Sequence, residues 1–300
     1  MTALLAEILD RVEKNDVIVL YSIERNLTRY KYVPLEVIER VSRLPPSSIQ
    51  KSIKRLTELK LVRRRLGNFS GYTLTYRGLD VLALNSLLRR GYITRLGDKI
   101  GVGKESDIYI AESPRGLVVV KLHREGRTSF SKVRRVRSYA QEIEGEDWIR
   151  VVKTIGEREF KALVELRSNK ALVPEPVTYN RHAVVQEYIR GVDLYKVEDL
   201  DEETARATLA DVIETLRIAY TKVGIVHGDL SQYNVLISED GRGYVIDWPQ
   251  YVYKGEESSG ELLFRDVKYI TSYYERKFGV SVDAGRVLKY VKGEINEKPL

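Results

Sequence analysis

His227, Asp229, Asn234 and Asp247 are the residues of this 300-residue chain whose types and spacing could do chemistry. The stretch His-Gly-Asp-Leu-Ser-Gln-Tyr-Asn at 227–234 has the His-x-Asp-Leu-x-x-x-Asn spacing of a phosphoryl-transfer catalytic loop. In such a loop the Asp handles the acceptor's proton and the Asn, five residues on, holds a metal ion. A lone Asp-x-x-x-x-Asn also arises as a polar loop joining a helix to a strand, so other signals must decide. Asp247 is one, because it ends the apolar run Tyr244-Val245-Ile246 after a turn at Asp240-Gly241. Asn234 and Asp247, at opposite ends of one predicted hairpin, are hard oxygen ligands suited to Mg²⁺ or Mn²⁺ on nucleotide phosphates.

Upstream, Ile100 to Tyr109 reads Ile-Gly-Val-Gly-Lys-Glu-Ser-Asp-Ile-Tyr. Gly101, Gly103 and Ser106 stand where a kinase has Gly-x-Gly-x-x-Gly, with Lys104 and Glu105 between them. Glycines let the backbone approach phosphates and aim its amides at them. The third Gly is missing, and the loop is not the Gly-x-x-x-x-Gly-Lys-Ser/Thr of Walker-type NTPases. Leu117-Val118-Val119-Val120 then forms a strand ending in Lys121, the candidate ligand of the ATP α- and β-phosphates. Such a lysine needs an orienting Glu. The helical pattern over 155–166 offers Glu159, beside the inward Phe160, Leu163 and Leu166, with Glu157 in reserve. Strands over 174–179 and 183–188 predict a hairpin whose exit, Glu187 to Ile189, resembles an adenine-binding hinge.

The elements that position these groups are legible from periodicity. Asp201 to Val223 reads as a helix with Asp201 as N-cap, Glu202 and Glu203 complementing the dipole, and Gly224 ending it. Its task is to deliver 227–234. Toward the N-terminus, helical spacing at Leu4, Leu5, Ile8 and Val12 begins a run of three helices. Pro46 to Leu59, with Ile49, Ile53, Leu56 and Leu59 inward, is the last of these, and a hairpin through Gly67 to Gly71 follows. Three helices and a hairpin make a winged helix-turn-helix, in which Lys51, Lys54 and Arg55 mark the recognition helix and Arg63, Arg64 and Arg65 begin the wing. Winged helices also dock proteins, and charge is the tie-breaker toward nucleic acid. An apolar helix over 77–90 leads out, and Gly91 marks the boundary. The expected fold class is α+β: a winged-helix domain over 1–91, then a minimal bilobal kinase-like domain over 92–300, with an N-lobe to about 189 and a C-lobe from about 190.

Charge sharpens this division. Residues 1–90 hold 17 Lys and Arg against 9 Asp and Glu, whereas the remainder holds 33 against 34. A basic first third points to a polyanionic partner. With no Cys and three scattered His, disulfides, thiolate metal sites and a His zinc site are disfavoured. No apolar run reaches the ~20 residues of a membrane span, and a cytoplasmic location is expected. The segment 124–137, with six Lys and Arg against one acid plus Thr128, Ser129 and Ser131, reads as a mobile basic loop, either merely solvated or with a binding or phosphorylation role.

Only 53 residues follow Asp247, they contain no Ala-Pro-Glu, and Gly228 replaces the catalytic-loop Arg, so a conventional peptide-substrate platform is not expected. The chain resembles the RIO family of atypical kinases, in its winged-helix branch, the RIO kinase 2 group. The resemblance rests on Gly-x-Gly-Lys-Glu-Ser at 101–106, Lys121 with the following Leu-His-Arg-Glu-Gly-Arg-Thr-Ser-Phe, the 227–234 loop and Ile-Asp-Trp-Pro-Gln at 246–250. It covers nearly the whole chain. It implies a serine/threonine kinase or ATPase using ATP and Mg²⁺, acting on the pre-ribosomal small subunit and its RNA. It further implies autophosphorylation, with Ser129 a candidate, and transient phosphorylation of Asp247. A small-molecule kinase of the aminoglycoside type shares His-Gly-Asp-x-x-x-x-Asn but leaves residues 1–90 without a role. An ATP-sensing nucleic-acid-binding regulator is a third reading, opposed by the intact Lys121, Asp229, Asn234 and Asp247.

Overall fold

The computed structural model describes residues 4–65, 70–102, 105–124 and 148–300. The described residues fall into two compact units, one of 4–124 with 148–153 and 180–183, the other of 154–179 with 184–300.

The first unit opens with α1 (Leu5–Arg11), α2 (Lys14–Asn26), β1 (Val33–Pro34), α3 (Leu35–Ser42) and α4 (Pro46–Glu58). The wing strands β2 (Val62–Arg65) and β3 (Gly71–Leu74) and the connector helix α5 (Tyr76–Arg89) follow. The three strands form an antiparallel sheet in the order β1-β3-β2. This is the winged helix predicted from periodicity, with four helices before the wing where three were expected. Pro46 starts α4 where a missing N–H costs nothing, and Ile49, Ile53 and Leu56 bury one face at i, i+4 and i+7. α5 starts under Thr75, whose hydroxyl accepts the Gly78 amide.

Three antiparallel strands complete this unit: β4 (Arg95–Val102), β5 (Ser106–Ser113) and β6 (Gly116–His123). They belong with the winged helix because a buried ionic cluster joins them to α5. Asp80 of α5 takes a two-pronged bond from Arg124 at 2.7 and 2.9 Å and a third bond from His182 at 2.8 Å. Arg124 also donates to Asp107 of β5 at 2.8 Å. Arg124 therefore departs from the mobile basic loop expected at 124–137, because the buried Asp80 and His182 and the half-buried Asp107 hold it. The grouping also differs from a simple cut at Gly91.

The second unit takes most of α6 (Trp148–Ser168), a longer helix than the 155–166 predicted, and the paired strands β7 (Pro176–Asn180) and β8 (Ala183–Glu187). A three-stranded sheet, in the order β12-β11-β9, joins β9 (Gly191–Asp193), β11 (Val235–Ser238) and β12 (Gly243–Val245). A two-stranded ladder pairs β10 (Ile225–Val226) with β13 (Val252–Tyr253). The helices are α7 (Glu202–Ile218), α8 (Ser259–Phe278) and α9 (Ala284–Lys292). Asp201 caps α7 as predicted, its carboxylate accepting the Thr204 amide at 2.8 Å. The helix does not run to Val223; it loosens into a π turn over Ala219–Val223 and stops at left-handed Gly224. Leu209, Val212, Ile213 and Leu216 of α7 share one core with Leu263, Val267, Ile270 and Tyr274 of α8 and with Trp248. At Gly191 a Cβ would stand 2.2 Å from the Ile237 carbonyl oxygen, so the pairing of β9 with β11 requires glycine there.

Candidate active site

The loop after β10 is held from three sides, and each hold follows from buried polar groups needing partners. His227 is fully buried; its Nε2 lies 3.1 Å from the Ile246 carbonyl oxygen and its Nδ1 accepts the Asp229 amide at 3.3 Å. These bonds set the tautomer, with the proton on Nε2. The imidazole meets the fully buried Trp248 ring in a tilted contact, centroids 4.7 Å apart, and the indole N–H donates to the Val245 carbonyl at 3.1 Å. Trp248 thus ties the segment after β12 to the 227–234 loop.

The third hold comes from α8. Asp266, 0% exposed, accepts the Gly228 amide at 2.6 Å and the Leu230 amide at 3.2 Å. Its neighbour Arg265 donates to the Gly228 carbonyl at 2.5 Å. Burial pushes the Asp266 carboxyl above its ordinary range, against the His227 ring and the two amides, which favour the ionised form. Gly228 has φ +76°, a left-handed conformation that a side chain would strain. The glycine at the usual Arg position therefore lets the loop turn so that both flanking amides reach one carboxylate. Asp229 itself is exposed. Neither Asp266 nor Arg265 is indicated by the sequence motif, since they act on main-chain atoms from well over thirty residues away.

Asn234 and Asp247 come together as expected. The Asn234 amide nitrogen lies 3.3 Å from Asp247 Oδ2, and the Ser231 hydroxyl donates to Asn234 Oδ1 at 2.8 Å. The approach is enforced by the backbone, because the Ile246 amide donates to the Asn234 carbonyl at 2.9 Å. One detail differs: β12 ends at Val245, and Asp247 lies beyond the strand in a left-handed conformation, φ +68°. That is an uncommon backbone state for a residue other than glycine, and it aims the carboxylate back toward Asn234. An amide and a carboxylate offer the hard oxygen donors that suit Mg²⁺.

In the first unit the register of β4, β5 and β6 aligns the nucleotide-binding candidates. Gly101 pairs with Ile108, and Ile108 pairs with Lys121, so glycine and lysine share one transverse row. Lys121 and Ser106 are buried. A Cβ on Gly101 would touch only the Ile108 side chain, at 3.4 Å. Glu105 precedes β5, and its carbonyl accepts the Arg124 amide at 2.7 Å. Gly103, Lys104 and Ser129 lie outside the described residues.

On α6, Glu159 is 1% exposed, whereas Glu157 forms an i,i+4 pair with Lys161 at 2.7 Å on the outer face. The helix thus separates the two candidates by face. At the hinge the Glu187 amide is already taken, donating to the Glu175 carbonyl at 2.8 Å. That removes one of the main-chain groups expected to meet adenine and leaves the Glu187 carbonyl and Ile189 as the hinge candidates.

The winged-helix candidates divide as well. Lys51, Lys54, Arg63, Arg64 and Arg65 are exposed. Arg64 and Arg65 lie over the rings of Tyr72 and Tyr32 at 6.0 and 5.7 Å. Arg55 instead turns to α2, pairing with Glu13 at 2.6 Å and with the buried Asp16 at 2.9 Å. It ties α4 to α2 and does not share the outward face of Lys51 and Lys54. A cavity of about 450 Å³ in the second unit, lined by residues that include Phe160, Val164, Tyr251 and Tyr253, contains none of the predicted site residues. No described helix is long and apolar enough to cross a membrane.

Comparison with known proteins adds to this geometry. Residues 107–287 match the RIO domain family model and residues 9–90 match the Rio2 N-terminal model. The chain is 33% identical to the RIO-type serine/threonine-protein kinase Rio2 of Methanocaldococcus jannaschii, over 88% of this chain and 99% of that one. It is 32% identical to the serine/threonine-protein kinase rio2 of Schizosaccharomyces pombe, over 86% of this chain and 75% of that one. Among solved structures it resembles the Chaetomium thermophilum Rio2 kinase in its ADP/Mg²⁺-phosphoaspartate complex, with a TM-score of 0.80 and 29% identity over 97% of this chain and 89% of that one.

Proposed function

Because the chain belongs to the Rio2 branch of the RIO serine/threonine-protein kinases, and is a phosphotransferase of that type, we propose that it uses ATP with Mg²⁺ and works in maturation of the small ribosomal subunit. The observation that carries the chemistry is the convergence of Asn234 and Asp247 beside an exposed Asp229 on a loop braced by Asp266. Asn234 and Asp247 are the residues that would hold the metal ion. Lys121, oriented by Glu159, neutralises the α- and β-phosphates, and Ser106 with the adjoining loop amides covers them. When bound, Mg²⁺ supplies charge neutralisation of the phosphate oxygens. Asp229 orients the acceptor hydroxyl or water and takes its proton. The phosphoaspartate in the Chaetomium relative supports a cycle in which an Asp247 oxygen accepts the phosphoryl group, ADP leaves, and water later releases phosphate.

The winged helix supplies the docking half of this reading. Exposed Lys51, Lys54, Arg63, Arg64 and Arg65 in a basic first third fit the RNA of a pre-ribosomal small subunit. Single-turnover assays with γ-labelled ATP test the chemistry: Asp229→Ala and Asp247→Ala should abolish protein labelling and phosphate release, and retention of both activities would remove the assignment. For docking, reversing Arg63, Arg64 and Arg65 to Glu should weaken RNA binding and flatten its salt dependence by ~0.7–0.9 in log–log slope per lost phosphate contact. Unchanged binding would leave the winged helix as a protein-docking module.

A further inference from the structure

Glu159 has a neighbour whose contacts reach the segment following Asp247. Arg158 places its guanidinium 4.2 Å above the centre of the Tyr251 ring and donates from one terminal nitrogen to the Tyr251 carbonyl at 2.8 Å. Both residues belong to the second unit. Tyr251 stands four residues after Asp247 and is itself immobilised. Its ring is buried, its hydroxyl meets that of Tyr253 at 3.3 Å, and the next residue, Val252, pairs with Val226 just before His227. One guanidinium thus grips the main-chain carbonyl and the aromatic face of the residue that leads from the Asp247 segment into β13, the partner of the strand before the 227–234 loop. A planar fork can do both at once, and a single ammonium cannot.

Successive helical residues differ by about 100° around the axis, so Arg158 and Glu159 leave the same turn of α6 in different directions. Any slide or roll of that turn moves both. We propose that Arg158 is a positioning residue: through Tyr251 it fixes the helical turn bearing Glu159 to the segment bearing Asp247. This contact holds the helix in register. The inference rests on the reading of Glu159 as the lysine-orienting carboxylate, and the test separates the two.

Phosphate release from ATP and Mg²⁺ is measured for the full chain and for Arg158→Met, Arg158→Lys, Tyr251→Phe, Glu159→Gln and the Arg158→Met/Glu159→Gln double variant, each with its melting midpoint. Arg158→Met should lower kcat about ten- to a hundred-fold, the scale of a misplacement of roughly 1 Å. Arg158→Lys should fail to restore it, and Tyr251→Phe should stay near the parent because ring face and carbonyl both persist. The double variant should be no slower than Glu159→Gln alone, since Arg158 acts through Glu159. Full activity in Arg158→Met, rescue by Lys, or additive losses in the double variant would each overturn the proposal while leaving Glu159 in place. Full activity in Glu159→Gln would remove the reading of Glu159 and the proposal with it. Should Arg158→Met melt below the assay temperature, Arg158→Lys combined with Glu159→Gln makes the same comparison.

Discussion

The Asp266 carboxylate, from the middle of α8, accepts the amides of Gly228 and Leu230 on either side of Asp229, at 2.6 and 3.2 Å. The exposed Asp229, the candidate for the acceptor's proton, is therefore held through its neighbours' main chain and not through its own side chain. Asp266→Asn would keep one acceptor oxygen and turn an NH₂ group toward the second amide. Leaving that buried donor unsatisfied costs about 1–3 kcal/mol. We expect a kcat at least about ten-fold lower, following the loss of loop placement. Parental turnover in Asp266→Asn would show that the brace is dispensable.

Asp266 also has a pH signature. Its folded-state pKa is raised by burial, so its contribution to stability is fully present below the unfolded value of about 4 and is lost as pH rises through the folded value. Denaturation of the parent and of Asp266→Asn at several pH values should show their difference changing within that window and constant above it. A difference independent of pH would mean that Asp266 does not titrate between the two states.

Asp80 carries the opposite sign. Burial opposes its charge, yet the His182 bond and the Arg124 charge hold its carboxyl below the ordinary range. Its stabilisation is present above about pH 4 and lost as pH falls through the depressed folded value. Asp80→Asn should cost about 3 kcal/mol at neutral pH, the low end for breaking a buried ion pair, because Asp107 still faces Arg124. The cost should shrink on acidification. Equal stability of parent and variant at pH 7 would show the cluster to be inert.

Removal of divalent cations should abolish phosphate release. Asn234→Ala should raise the Mg²⁺ concentration needed for half-maximal activity by at least about ten-fold, the loss seen even for residues one shell beyond a metal. Its metal-free stability, read from the melting temperature, should fall only by the loss of the side-chain bonds to Ser231 and Asp247, about 1–3 kcal/mol, since the Ile246 bond to the Asn234 carbonyl is a main-chain contact that persists. An unaltered Mg²⁺ midpoint would remove Asn234 from the ligand set.

Gly191→Ala forces a Cβ to within 2.2 Å of the Ile237 carbonyl oxygen, so β9 must separate from β11 or shift. We expect about 1–3 kcal/mol of lost stability, as for other overpacking changes. Thermal denaturation at neutral pH checks this, and an unchanged melting point would contradict the register of Gly191 with Ser238.

Much of this architecture is legible in the residues. Ile49, Ile53 and Leu56 disclose α4 because an amphipathic helix buries one stripe, and Asp201 discloses the start of α7 because a helix N-terminus needs an acceptor. The pairing of Asn234 with Asp247 is legible because both lie on one hairpin. What the chain hides are contacts without a period. Asp266 and Arg265 act on amides and a carbonyl, which every residue possesses. Asp80, Asp107, Arg124 and His182 come from four places far apart in the chain, and only folding reveals that Arg124 is held among the other three. Likewise β10 and β13 are two residues each, too short for alternation to register. The left-handed turn at Asp247 leaves no compositional trace, since Asp tolerates that conformation better than most residues do.

The transverse row of Gly101, Ile108 and Lys121 bears on how such a chain can diverge. Its alignment depends on counting along β5 and β6, and hardly at all on the length of the turn between β4 and β5. Lengthening that turn leaves the three residues abreast. A single-residue insertion between Ser106 and Ala111, by contrast, would carry Lys121 to the opposite surface relative to its partner or compel a bulge. Insertions and deletions in related chains should therefore collect in the connections before β5 and between β5 and β6, and be excluded from the strands.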